Sequence, residues 1–210
     1  MAFKYACFIS YCHGQHALVQ SFIDQLKDAL KAALDPYLDE QVYIDYDRLK
    51  PGFNYTSALE RALCESVCMV LVYSPRYERH AYCGREFQGM EGLEAARLQC
   101  LGGAADSRGL IIPVILRGAD EIPERIKKDR HYADFSRFTL ATQDLSRNPE
   151  YVTLIEDIAA EIYRHYKRFE TIGGNVCSDC GTFALPAESQ LKPWRAPAAP
   201  GWAPVFPNRA

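Results

Sequence analysis

The segment Val67-Cys68-Met69-Val70-Leu71-Val72-Tyr73 is an unbroken apolar run closed by Ser74-Pro75. A strand with water on one face alternates apolar and polar residues; a run with no polar member belongs to a central parallel strand covered on both faces. That requirement imposes further strands beside it and helices above and below it. The rest of the chain supplies them.

Phe3 to Ser10 reads as a buried first strand, and Gln15 to Leu34 as an amphipathic helix with Leu18, Phe22, Leu26, Leu30 and Ala33 on one stripe. Val42 to Asp45 is a short second strand, followed by a loop through Asp47-Arg48-Leu49-Lys50-Pro51-Gly52-Phe53, whose Pro-Gly marks a turn. Tyr55 to Cys64 reads as a helix. After the central strand, Glu78 to Gln99 is helical, and Gly109 to Leu116 is a fourth strand. Pro113 within it lacks a ladder donor, which predicts an edge position, a bulge or a bend. A weak fifth strand falls near Ala133 to Phe138, and Tyr151 to Phe169 makes the last helix. Strands alternating with helices in this way predict an α/β fold, an open parallel sheet with helices on both faces. Ligands of such sheets bind beyond the carboxyl ends of the strands. The segments to weigh are therefore Ser10 to His16, Asp45 to Asn54 and the residues from Ser74 onward.

Several function classes lose their support. No G-x-G-x-x-G follows the first strand and no G-x-x-x-x-G-K-[ST] occurs, against dinucleotide dehydrogenases and P-loop ATPases; no G-x-S-x-G elbow supports a serine hydrolase. With 24 Lys+Arg against 27 Asp+Glu the net charge is -3, which does not suit a general nucleic-acid binder. No apolar run approaches the ~18 residues of a membrane span, and the N-terminus lacks the pattern of a secretory signal. The expected location is the cytoplasm, and the eight cysteines accordingly read as thiols.

Composition changes near Gly173-Gly174. Half of the twelve prolines and both tryptophans, Trp194 and Trp202, lie beyond it. The chain therefore divides into a folded domain over residues 1–170 and a tail over 171–210, extended or laid on the domain surface. The tail carries Cys177-Ser178-Asp179-Cys180-Gly181, one C-x-x-C knuckle without a second. Half of a zinc site through Cys177 and Cys180, completed by Cys83, Cys100 or another chain, stands beside the reading of two thiols, and no metal is assigned.

FISYCHGQH at 8–16, VYIDYDRLKPGFNY at 42–55, VCMVLVYSPRY at 67–77 and YCGREF at 82–87, in this order, resemble a Toll/interleukin-1 receptor (TIR) domain of the prokaryotic kind. The resemblance covers about residues 3–169 and none of the tail. It implies a flavodoxin-like, five-stranded parallel sheet of order 2-1-3-4-5. It also implies one of two roles, an adaptor assembling through TIR surfaces or an enzyme that cleaves NAD+ between nicotinamide and ribose.

In the enzymes a glutamate on the helix after the third strand acts four residues beyond a tryptophan. Here the matching residues are Glu86 and Tyr82, which keeps an aromatic face but loses area. Four apart, both are expected on one helical face. Glu86 is the catalytic candidate: nicotinamide leaves as a neutral base, and a fixed carboxylate steadies the positive charge growing on the ribose, without a cofactor. A solvated surface glutamate is the plain alternative.

Ser10, Tyr11, Cys12 and His13 are expected to line the cleft, His13 facing a phosphate or merely solvent. Cys12-His13 with His16 suggests a metal only weakly, for no further ligand follows. Asp45, Arg48 and Phe53 are substrate-binding candidates in the gating loop; Arg48 and Lys50 answer a pyrophosphate and Phe53 covers a base, unless the loop is a plain solvated turn. Arg76 and Arg79 are lesser phosphate candidates. The resemblance further implies self-association, with this loop completing a neighbour's site. It also implies a product, ADP-ribose or a cyclic isomer, acting in antiphage defence and read by a separate effector, with neither nucleic acid nor membrane as partner. A nucleoside 2-deoxyribosyltransferase-like activity is a third possibility.

Overall fold

The computed structural model describes residues 3–13, 16–44, 55–101, 109–127, 130–138, 144–176 and 178–195. Five parallel strands form one sheet: β1 (Tyr5–Tyr11), β2 (Gln41–Ile44), β3 (Ser66–Tyr73), β4 (Ile111–Ile115) and β5 (Ala133–Asp134), in the order β2-β1-β3-β4-β5. The expected topology is the one observed. β3 is flanked on both sides, its register running Cys7↔Cys68 to Tyr11↔Val72 with β1 and Met69↔Ile111 to Tyr73↔Ile115 with β4. Every residue of β3 is buried, as a fully apolar run requires.

One face is covered by α1 (Ala17–Leu34) and α5 (Pro149–Glu170), the other by α2 (Tyr55–Cys64), α3 (Ala81–Cys100) and the short α4 (Glu124–Lys127). On α1 the buried stripe is Phe22, Ile23, Leu26, Leu30 and Leu34; Leu18, one turn too early to reach the sheet, is exposed. α5 starts where Asn148 caps it, its side-chain oxygen accepting from Glu150 N (2.9 Å) and Tyr151 N (3.3 Å), with Pro149 in the first turn. The helix expected over 78–99 is divided: a 3₁₀ turn, Tyr77–Arg79, precedes α3.

Pro113 sits in a regular strand without loss. Leu110 O accepts from Met69 N and Leu116 N donates to Tyr73 O, so even-numbered residues of β4 bond β3; Phe135 N donates to Ile115 O, so odd-numbered ones face β5. β5 pairs only opposite Val114 and Ile115, and the missing donor of Pro113 meets no strand. A groove of about 750 Å³ runs along this edge between β4, β5 and α5, lined by Ile111, Tyr132, Leu154 and Ile158 among others.

The tail residues 178–195 lie as a strap across α2 and α3. Cys180 is disulfide-bonded to Cys64 at the end of α2, and Cys100 is disulfide-bonded as well. This corrects the reading of all eight cysteines as thiols, and it takes Cys180 out of any zinc half-site; Cys177 lies outside the described residues. Among those residues no group of three or more His, Cys, Asp or Glu is arranged to hold a metal ion. Local spacing carried no sign of the pairing, because its two halves lie 116 residues apart.

Beneath the strap's root, Arg97 is 0% exposed and donates to the carbonyls of Cys64 (2.6 Å), Ser66 (2.9 Å) and Val67 (3.3 Å) and to Asn175 Oδ1 and Ser178 Oγ. Burial holds its guanidinium down to about 10, still protonated at neutral pH. Further along, Leu185 is buried against α2 and α3. A Cβ on Gly89 would stand 2.7 Å from Leu185, and one on Gly84 3.2 Å from Leu191, so two α3 glycines let the strap approach closely. Trp194 packs on Phe87 (5.0 Å between ring centres) and edge-on to Tyr77 (5.7 Å), and Arg195 forms a two-pronged ion pair with Glu78.

Candidate active site

Parallel strands all end on one edge, so residues leaving β1 and β3 become neighbours whatever their separation in sequence. β1 ends in Ser10-Tyr11. β3 ends in Tyr73, and its continuation turns through Ser74, whose carbonyl accepts from Tyr77 N at 2.8 Å. α3 then starts at the same edge and brings Glu86 inward on its second turn.

The three meet. Ser10 Oγ donates to Glu86 Oε2 at 2.5 Å and lies 2.6 Å from the Tyr77 hydroxyl. All three are buried: Ser10 1%, Tyr77 0% and Glu86 5% exposed. Burial, reinforced by Cys83 and Glu86, pushes the Tyr77 phenol well above its ordinary range, so it is a neutral hydroxyl at every working pH. Glu86 is therefore a desolvated carboxyl group in a fixed orientation, in surroundings where a charge acts more strongly than in water.

Around this centre Cys12 and Cys83 are also buried, and His13 is exposed with its ring stacked on Tyr11 at 4.5 Å. The Cys12 thiol is drawn down to about 7, chiefly by a hydrogen bond from Cys83, with Arg76 and His13 adding to it against the opposing effect of burial. Arg76 and Arg79 stand exposed on the rim. Tyr82 does not share the inward face of Glu86: it is 45% exposed, with the Arg85 guanidinium 5.5 Å over its ring. Four residues of helix turn the chain 40° past a full turn, enough at this boundary to put one side chain in and the other out.

Asp45, Arg48, Lys50 and Phe53 lie outside the described residues. None of the residues lining the groove beside β5 belongs to the Glu86 cluster. Sequence reasoning passed over Tyr77 and Cys83 as site residues. The signal for Tyr77 was its place three residues beyond Ser74, at the exit of the central strand; Cys83 was visible only as part of an apolar helix face.

A family model described as the TIR domain matches residues 7–147. The match takes in the sheet and the Ser10–Tyr77–Glu86 centre and stops before α5 and the strap. A comparison with curated proteins found no match.

Proposed function

The chain belongs to the TIR domain family, and on that footing we propose that it is an NAD+ nucleosidase, cleaving the bond between nicotinamide and ribose. The observation that carries this reading is the Glu86 carboxylate, buried at the exits of β1 and β3 and oriented by Ser10. In the reaction the C1′–N bond breaks, its electron pair leaves with nicotinamide, and positive charge develops on the ribose. A pre-oriented carboxylate lowers the energy of that charge without first having to reorganise solvent. Water adding to C1′ and losing a proton gives ADP-ribose; a nitrogen or hydroxyl of the same nucleotide adding there gives a cyclic isomer. No resident cofactor is called upon, NAD+ being the substrate.

On this reading the dinucleotide approaches Glu86, 5% exposed, from the rim, where the exposed His13 and Arg76 are the groups that meet its phosphates. The same reading has copies associating through TIR surfaces, and the product acting in the cytoplasm as an antiphage signal for a separate effector. Among the described residues no helix is long and apolar enough to cross a membrane.

The test is product analysis. Purified protein incubated with NAD+ is expected to release nicotinamide together with ADP-ribose or a cyclic isomer, and Glu86→Gln to lower the rate by roughly 10²–10³ while the circular dichroism is unchanged. A parent protein that leaves NAD+ intact at every concentration, alone and assembled, would refute the proposal. One observation favours a second reading: a glutamate this buried and this well bonded also suits a purely structural brace, as in a non-catalytic TIR–TIR scaffold. Assembly that persists in Glu86→Gln with no turnover in the parent would select it.

A further inference from the structure

Cys12 leaves β1 one residue beyond the strand's end, and Cys83 lies in the first turn of α3 directly across from it. The Cys83 thiol donates to the carbonyl of Tyr11 (3.7 Å), the group bonded to the Cys12 nitrogen, the Cys12 thiol donates to the carbonyl of His13 (3.7 Å), and Cys83 is the neighbour that most strongly draws down the Cys12 thiol. Both are thiols, in a chain whose Cys64 and Cys180 are joined. We propose that Cys12 and Cys83 form a redox pair that takes a hydroperoxide as oxidant and closes to a disulfide at the mouth of the Glu86 site.

The chemistry balances over two steps. The Cys12 thiolate attacks the terminal oxygen of the hydroperoxide, an S–O bond forms as the O–O bond breaks, and the alkoxide or hydroxide takes a proton and leaves. The Cys83 sulfur then attacks the Cys12 sulfenic acid, the S–S bond forms, and hydroxide departs with the Cys83 proton as water. Two thiols lose two electrons; one hydroperoxide becomes an alcohol, or water when it is hydrogen peroxide, plus one water.

Selectivity comes from surroundings. Cys7 and Cys68 are 0% exposed in the sheet, and burial pushes the Cys7 thiol up to about 12 and Cys68 well above its ordinary range. Cys12 instead is drawn toward the thiolate and adjoins exposed His13 and Arg76 at the rim. Closing the pair to the ~2.05 Å S–S distance of a disulfide draws together the end of β1 and the first turn of α3. The bond flanks the Ser10–Glu86 contact on both sides, since Cys12 is two residues from Ser10 and Cys83 three from Glu86. The effect on turnover rests on the NAD+ reading; formation of the disulfide does not.

The experiment treats the full-length protein with hydrogen peroxide, alkylates remaining thiols and maps non-reduced peptides by mass spectrometry, with the Cys64–Cys180 cross-link as internal reference. A Cys12–Cys83 cross-link that grows with peroxide, and in Cys83→Ser a Cys12 sulfenic acid trapped by dimedone, are expected. Cys12 remaining alkylatable, or passing to sulfinic acid while Cys83 stays a thiol, overturns the pair. NAD+ turnover is read on the same samples, with a loss of at least tenfold expected on cross-linking and recovery with dithiothreitol. A cross-linked protein that still turns over NAD+ at its former rate overturns the regulatory part. A cross-link in protein that never cleaves NAD+ leaves the pair standing and removes the Glu86 reading alone.

Discussion

Ser10 and Glu86, 76 residues apart, share a 2.5 Å hydrogen bond between the end of β1 and the second turn of α3. With Tyr77 on the other side of the serine at 2.6 Å, one hydroxyl ties together the exits of two strands and a helix. Orientation of the carboxylate thus depends on a residue outside its own helix.

Ser10→Ala is expected to remove that donor from a buried carboxylate. The cost is about 1–3 kcal/mol, which for a chain of this size lowers Tm by roughly 2–4 °C per kcal/mol. Turnover should fall further than stability accounts for. Ser10→Thr, which keeps the hydroxyl, should recover more of the kcat than of the Tm, and calorimetry beside NAD+ kinetics separates the two.

The Cys64–Cys180 bond closes a long loop over the strap. Chain-entropy reasoning assigns such a loop up to about 4–5 kcal/mol. Cys64→Ser, or reduction under native conditions, is expected to lower Tm by several degrees and to free the strap. Trp194 reports its release: with Trp202 replaced by Phe, emission should shift to the red as the ring leaves Tyr77 and Phe87.

Arg97→Met keeps an apolar stem and removes every donor. The carbonyls of Ser66 and Val67 then lose a donor where water does not reach, and that of Cys64 is left with Asn175 Nδ2 (2.9 Å). A loss of more than about 3 kcal/mol is expected, measured by urea denaturation, and it should weaken the hold on Asn175 and Ser178 at the strap's root as well.

Alkylation discriminates among the thiols by pH. Only the thiolate reacts, and Cys12 loses its proton at about 7 through Cys83, Arg76 and His13. Its rate with iodoacetamide should rise tenfold per unit below pH 7 and level off above it. Cys7 and Cys68 should stay unmodified across the same range until the protein unfolds.

Turnover is expected to rise faster than in proportion to protein concentration, because the loop after β2 is taken to complete a neighbour's site. Initial rates over a hundredfold dilution series check it, and strict proportionality throughout would count against assembly.

The order of strands and helices, the central place of β3 and the position of Glu86 on the helix after it were legible in the chain alone. The succession of elements along the chain and the central place of β3 follow from periodicity and from runs of apolar residues, which are properties of neighbours in sequence; the order of strands in the sheet and the choice of Glu86 came with the family resemblance. The inward turn of Glu86 and outward turn of Tyr82, the part played by Tyr77, the joining of Cys64 to Cys180 and the meeting of Cys12 with Cys83 were decided by tertiary structure. Each is a contact between elements distant in sequence, brought together by parallel strands ending on one edge or by a strap crossing a helix face. Local pattern encodes which side of an element is apolar; which residue waits on the other side is written only in the packing.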